Sequence, residues 1–529
     1  MSYNANVFTA GQSAAKVEAA AILGNRILRI GSNEDCLALR GPGTRVIDAG
    51  GRTLMPGFID SHFHMVYGAL NMNGMQLEPV TNYPDLSRVI TEYAAKHPDD
   101  PWLPGTGLRY INGPDHAPLN RHHLDALVSD RPIYLNAYDG HTSWANTLAL
   151  KMAGIFQGGE CGPNSLLVMG DDGFANGEMR EPGAYQPVSD LVPKPGEAQK
   201  RDLLRQALKL TASLGVTSVH NMDGDLEKAN MFADFEKQGE LTCRIYLPYS
   251  VSPETPLSAL KDEALNLNNI FTPGILRTGC IKFFLDGVIE SYTGLLVEPY
   301  DDDPSTNGAA NYSIEHYNRM FVEADRLGLQ IFTHAVGDLA VRRILDAAQE
   351  AIRINGKRDS RHRIEHIELV HPADVPRFKE LGVIASMQPL HAPGKVDDAD
   401  VWPTRVGKQR WGQSFAWNHM RDAGARLVFG SDWPVVNHNP IQGTSHAVNR
   451  NAWLPGLPDH RQGLVETLHS YTSDAAFAEF QENEKGQVKE GFLADLVLLS
   501  KNIFDIPVEE LAEVKVDLTM MNGNLVYEA

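Results

Sequence analysis

The sequence predicts an α/β protein built on a TIM-like (β/α)8 barrel, with a small β-sandwich domain drawn from both termini and an insertion after the first barrel strand. Three observations carry this. One grammar recurs along the chain: an amphipathic helix, a glycine, then an apolar β run ending in polar residues. Strands alternating with helices imply a parallel sheet. The polar residues gather at the C-terminal ends of the runs, where α/β barrels keep their chemistry. A doubly wound open sheet competes, but no glycine-rich phosphate loop follows an early strand, so the barrel is favoured.

Leu203 to Leu214 shows the grammar well, with apolar residues at 203, 207, 210 and 214, then Gly215 as a stop and the run Val216 to Asp223. It repeats at Arg326–His334, Glu380–Gln388 and Asp422–Asp432. Candidate barrel strands are Leu54–Asp60, Val216–His220, Arg244–Pro248, Cys280–Leu285, Leu329–His334, Arg363–His366, Val383–Met387 and Arg426–Gly430, eight in all. A ninth run, Pro132–Tyr138, lies in the long gap between His64 and Val216, which is far longer than one βα connection. Residues 70–195 are therefore expected to form an insertion subdomain that roofs the barrel mouth. Ala20–Ile30 reads as two β runs around a Gly-Asn turn, and Asp495–Leu499 with Val514–Tyr527 has the same hairpin character. Residues 1–53 and 483–529 are thus expected to make the terminal β domain, and 54–482 the barrel.

The 529 residues carry a formal charge of −20, which argues against nucleic acid or an anionic membrane as a main partner. A small-molecule substrate is expected. Cys36, Cys161, Cys243 and Cys280 are scattered without a C-x-x-C pair, which fits reduced thiols rather than a zinc knuckle or a disulfide framework. Met1 to Gly11 has no basic n-region, and no segment approaches the roughly 20 apolar residues of a membrane span, so the expected location is cytoplasmic. A homo-oligomer would be common for such a barrel.

His62 and His64 end the apolar run Thr53-Leu-Met-Pro-Gly-Phe-Ile-Asp-Ser-His-Phe-His64. Positions i and i+2 of a strand face the same way, so the pair makes half of a metal site. Other strand ends supply Lys282, His334, His366 and Asp432. Four imidazoles and a carboxylate suit zinc or a similar divalent ion. An ammonium repels metals, so Lys282 joins only if carboxylated by CO₂. A salt-bridged lysine beside a single ion is the other reading.

Pro56-Gly-Phe-Ile-Asp-Ser-His-Phe-His64 resembles the first-strand signature of the amidohydrolase superfamily. Asp139-Gly-His-Thr-Ser-Trp-Ala-Asn146, Ile281-Lys-Phe-Phe-Leu-Asp-Gly287, His334-Ala-Val-Gly-Asp338, Arg363-Ile-Glu-His366 and Gly430-Ser-Asp-Trp-Pro434 look like its YtcJ-like branch, which includes N-substituted formamide deformylases. The resemblance spans nearly the whole chain. It implies that His62 and His64 hold a first metal with Asp432, that His334 and His366 hold a second, and that Lys282 bridges them as a carbamate. Metal-bound water, its pKa lowered toward 7, would then attack the scissile carbonyl, with Asp432 as general base and acid. The implied reaction is hydrolysis of a C–N bond in an amide or N-substituted formamide. Rivals are a cyclic amide, ester or lactone at the same site, or a metal-binding barrel that isomerises or only binds.

Other residues carry weaker expectations. The resemblance puts His141 and Trp144 at the pocket, although a turn-stabilising histidine reads nearly as well, and His391 after the seventh strand would line it. His220 would support the ligands from behind. Arg109, Tyr67 and Trp433 could reach a substrate, Asp338 would cap the helix starting at Leu339, and Cys280 would be barrel packing.

Overall fold

The computed structural model describes residues 1–11, 16–111, 113–114, 118–162, 165–270, 274–396 and 401–529. Eight parallel strands pair in chain order: β1 (Phe58–Phe63), β2 (Val216–Asn221), β3 (Arg244–Ser250), β4 (Leu276–Phe284), β5 (Gln330–Ala335), β6 (Arg363–His366), β7 (Ile384–Met387) and β8 (Leu427–Phe429). The ends of the sheet meet beyond β8, where the Asp432 N–H donates to the His62 carbonyl at 2.7 Å and the His64 N–H to the Trp433 carbonyl at 3.0 Å. Helices including Glu197–Ser213, Leu226–Gln238, Ile314–Arg326 and Asp338–Asn355 lie between the strands in sequence. In Glu197–Ser213 the buried face runs through Leu203, Leu204, Ala207, Leu208, Thr211 and Ala212, while Leu210, expected on that face, is exposed.

The first barrel strand differs from expectation. Thr53–Pro56 belongs to another sheet, and β1 begins only at Phe58. Gly57 is the hand-over: its N–H donates to the Asp495 carbonyl at 2.9 Å and the next N–H, of Phe58, to the Gly215 carbonyl at 3.0 Å. A Cβ at Gly57 would collide with the Thr217 side chain. Both halves of the run are buried, each in its own sheet, so its hydrophobicity is continuous across the break.

The strands from the two termini form a four-stranded sheet (Arg26–Gly31, Ala19–Leu23, Ser2–Tyr3, Ile47–Asp48) and a five-stranded sheet (Asn6–Val7, Thr53–Pro56, Leu496–Leu499, Val516–Met521, Asn524–Glu528). Ala20 and Ile27 of the first pack with Leu54, Leu496, Leu498 and Leu518 of the second, which gives the sandwich its core. Between β1 and Glu197–Ser213 stands a separate six-stranded sheet, containing Leu103–Leu108, Ile133–Ala137, Thr142–Ala145 and Ala175–Arg180, with its own core of Leu77, Leu86, Ile90, Leu103, Leu124 and Leu135. The ninth run of the sequence is a strand of this sheet.

Asp338 does not cap from outside; it is the first residue of its helix, and its carboxylate accepts the Val297 N–H at 2.8 Å. Cys280 packs with Met222, Tyr246 and Phe332 inside the barrel. Among the described residues, no helix is long and apolar enough to cross a membrane.

Arg244 of β3 clasps Asp495 of the terminal domain through Nε at 2.6 Å and Nη2 at 3.1 Å, both side chains being buried. Removing one partner strands a buried charge. Arg244→Ala is expected to lower stability by about 3–5 kcal/mol in urea unfolding; a loss below about 1 kcal/mol, the scale of an exposed pair, would contradict the clasp.

Candidate functional site

The C-terminal ends of the strands converge as the polar stops of the β runs require. His62 lies in β1, Lys282 in β4, His334 in β5, His366 ends β6, and Asp432 follows β8. All five are buried, while His64, just past β1, is partly exposed. The His62 and His64 Nε2 atoms each stand 3.3 Å from the same Asp432 Oδ1. On the other side, Asp432 Oδ2 is 3.7 Å from His391 Nε2 and 3.9 Å from His366 Nδ1. Two groups of potential metal donors therefore share Asp432: His62 with His64, and His366 with His391. His334 stands beside the second group, its ring 4.4 Å from that of His366. His391, expected only as a pocket residue, thus comes as close to Asp432 as His366 does.

Each histidine has one ring nitrogen tied to an acceptor. His62 Nδ1 pairs with Glu365 Oε2 at 2.7 Å, His64 Nδ1 with Asp223 Oδ1 at 3.0 Å, and His366 Nδ1 with Gln388 Oε1 at 2.9 Å. His334 uses Nε2 instead, 3.1 Å from the Gly287 carbonyl. Such partners fix the tautomer and leave the opposite nitrogen's lone pair for a cation. His62 Nε2 and Lys282 Nζ are buried with no hydrogen-bond partner, which is costly unless something else satisfies them. This donor set fits a divalent ion.

The electrostatics favour neutral rings at His334 and His366, whereas at His64 burial, which lowers the imidazole, is outweighed by Asp223 and Asp432, which raise it to about 9. Burial, then the neighbouring imidazoles and Lys282, hold His366 well below the ordinary histidine value, and burial with His141 and Lys282 does the same to His334. Neutral imidazoles are the ligand form. Burial alone would raise the Asp432 carboxyl, but His62, His64 and His366 outweigh it and keep it well below the usual carboxylate range. Burial lowers the Lys282 ammonium to about 8 despite Glu365 and Asp432, which makes the neutral amine accessible. Its Nζ sits 4.3 Å from the Phe284 ring centre. His366 (φ 77°) and Asp432 (φ 63°) both have left-handed backbone, strain that persists only where the surroundings over-determine it.

A cavity of about 520 Å³ opens onto these groups; Asp432, His334, His366 and His391 line one side, and Asp139 and His141 of the insertion line another. Arg109 also borders it. Trp144 does not: it is packed in the insertion's core with Leu103 and Leu135, edge-on to Tyr110 at 5.5 Å, because its strand, Thr142–Ala145, is covered on both faces. Trp433 stacks on Phe63 at 5.2 Å, and Tyr67 meets the edge of His64 at 6.3 Å. His220 sits apart, with Nδ1 at 2.7 Å from Arg363 and Nε2 at 3.2 Å from Glu479, so it touches none of the strand-end histidines through these bonds.

Sequence reasoning passed over Glu365, Asp223, Gln388 and Glu181. The first two had a local signal, since each is an acid at a strand end beside a histidine already singled out. Gln388 also ends a run already noted, Glu380–Gln388, but Glu181 had no signal, since it lies in the insertion away from any strand end of the barrel.

A model of the amidohydrolase family matches residues 45–527. The chain is 30% identical to the Arabidopsis thaliana protein LONG AFTER FAR-RED 3, over 95% of this chain and 87% of that protein. It is 27% identical to Bacillus subtilis (strain 168) YtcJ over 92% and 91% of the two chains. It is 26% identical to the N-substituted formamide deformylase of Arthrobacter pascens over 100% and 98%. Among solved structures, an uncharacterized metal-dependent hydrolase from Pyrococcus furiosus superposes with a TM-score of 0.70 at 25% identity, covering 94% of this chain and 98% of that one.

Gly430 lies where a Cβ would run into the His62 backbone nitrogen and the Asp60 carboxylate. Gly430→Ala is expected to displace His62 from Asp432 and lower bound metal, measured by atomic emission on purified protein; full metal content with unchanged activity would refute this dependence.

Proposed function

The chain belongs to the amidohydrolase family and is a metal-dependent hydrolase acting on carbon–nitrogen bonds, and from that premise we propose that it cleaves an amide, most specifically an N-substituted formamide. One observation carries the reading: four strand-end imidazoles each have one nitrogen committed to an acceptor, and two of the opposite nitrogens face a single oxygen of Asp432. In this reading His62, His64 and Asp432 would hold one divalent ion, zinc being the expected metal, and His334 and His366 would hold a second, with Lys282 joining the ligands if carboxylated. When bound, the metal supplies Lewis acidity toward the scissile carbonyl and acidifies water.

The chain's own groups do the rest. Asp432 is ionised at neutral pH, and its Oδ2, on the His366 and His391 side, takes the proton of the attacking water. The same oxygen then delivers that proton to the leaving amine nitrogen. Glu365, Asp223 and Gln388 hold the imidazoles in place through the step. Val288, Leu390, Trp402 and Val435 give the cavity an apolar flank for an organic N-substituent, and His141 and His391 contact the bound amide.

Asp432→Asn is expected to lower kcat by about 100- to 10,000-fold, the usual worth of a general base, while metal stays largely bound; unchanged turnover would remove Asp432 from its role. Stripping metal with a chelator should abolish activity, and zinc should restore it. Metal analysis should find two ions per chain if Lys282 is carboxylated and one if it is not. A Lys282→Ala protein that regains activity with acetate or propionate supports the bridge. The substrate class is tested by a hydrolysis screen of N-formyl and N-acyl amines against lactones and esters; preference for the oxygen esters would overturn the amide reading.

A further inference from the structure

The insertion meets the catalytic side of the cavity at His141, and an unusual residue holds it there. Glu181 has φ 64° and ψ 159°, a region that is essentially glycine's own. A glutamate stays in such a conformation only when its surroundings over-determine it, and here they do. Its N–H donates to the His141 carbonyl at 2.7 Å. Its carboxylate takes His141 Nδ1, at 2.9 Å from Oε2 and 3.1 Å from Oε1. Oε1 also accepts from Thr293 Oγ1 at 2.6 Å and Ser291 Oγ at 3.2 Å, both on the barrel segment after β4. That segment carries Gly287, whose carbonyl holds His334 and whose missing Cβ leaves room for Glu181 and Thr293. The insertion and the barrel are therefore clamped together at one carboxylate. With Nδ1 committed to that clamp, the His141 ring leaves Nε2 for the cavity, with its centroid 5.7 Å from that of His334.

We propose that Glu181 is a positioning residue that, braced by Ser291 and Thr293 of the barrel, fixes the insertion's His141 so that its Nε2 hydrogen-bonds the scissile amide. This rests on the reading of His141 as a substrate contact given above. It makes the insertion part of the active site. It also explains why a strained glutamate stands where a glycine would relax the backbone.

Glu181→Gly relieves the backbone but also removes the carboxylate that joins the insertion to the barrel, so metal content and the cycle with His141→Ala separate positioning from a structural role. The positioning role predicts a fall in kcat/KM of about 10- to 100-fold, as for other groups that orient a reacting shell, with metal content unchanged. Glu181→Gln, whose amide oxygen still accepts from Nδ1, should recover most of the loss. In a cycle with His141→Ala, the Glu181→Gly/His141→Ala protein should be no worse than His141→Ala alone. Thr293→Val should lower kcat/KM in the wild-type background but not in His141→Ala, and it carries the test if the glycine variant does not fold. Wild-type kcat/KM in Glu181→Gly, or losses that multiply in the double variant, overturns the proposal. Failure of the wild-type enzyme to hydrolyse any N-formyl or N-acyl amine instead overturns the function on which it rests.

Discussion

The structure depends on a seam between its first and last barrel strands, and one buried carboxylate holds that seam. Asp60 Oδ1 accepts the His62 N–H at 3.1 Å and the Ser431 N–H at 2.9 Å. Burial raises its carboxyl to about 7 against these bonds. The Asp432 N–H closes the joint on the His62 carbonyl. The same few bonds that close the barrel therefore set Asp432 opposite His62 and His64. Gly430 lets the two backbones approach, since no Cβ fits between them. Closure of the fold and assembly of the candidate site are one event.

Behind the seam lies a floor of compensated charge. Arg363, fully buried, binds Glu365 at 2.9 Å, Ser386 at 2.9 Å and His220 at 2.7 Å, and donates to the Ser61 carbonyl. Glu365 is thereby held ionised, lowered to about 2 by Arg363, His62 and Lys282 against the opposing effect of burial. In a low-dielectric interior such a network is rigid when fully satisfied and expensive when broken. It keeps the imidazoles aimed while leaving His62 Nε2 and Lys282 Nζ unsatisfied. His62 Nε2 faces Asp432 beside His64, while its Nδ1 faces Glu365 of the floor.

Much of this was legible in the sequence because barrel strands announce themselves. An apolar run that stops at a histidine or an aspartate marks a strand whose end carries polar chemistry, as at His62, His334, His366 and Asp432, while Lys282 stands out as a lone charge within its apolar run; all five fall at one end of the sheet. The misjudged start at Leu54 has an equally physical cause. Burial in two different sheets leaves no polar residue to mark the crossing, and only Gly57 hints at it. Trp144 misled for the opposite reason, since an aromatic beside a pocket histidine packs as readily into a core as into a cavity. Glu181 had no mark at all, because it sits in the insertion and not at the end of a barrel run, and its worth lies in what its carboxylate joins.

By itself the sequence determined the barrel, the presence of terminal β hairpins, the inserted segment and the histidines, lysine and aspartate at the strand ends. These are consequences of local periodicity and of where apolar runs end, which short stretches of chain encode. Tertiary structure alone decided which oxygen of Asp432 faces which imidazole, which nitrogen of each histidine is committed, and how close His391 comes to the shared carboxylate. It also decided that an insertion glutamate would clamp His141 to the barrel. Those relations join residues far apart in the chain, and they exist only once the seam at Asp60 has brought both ends of the sheet together.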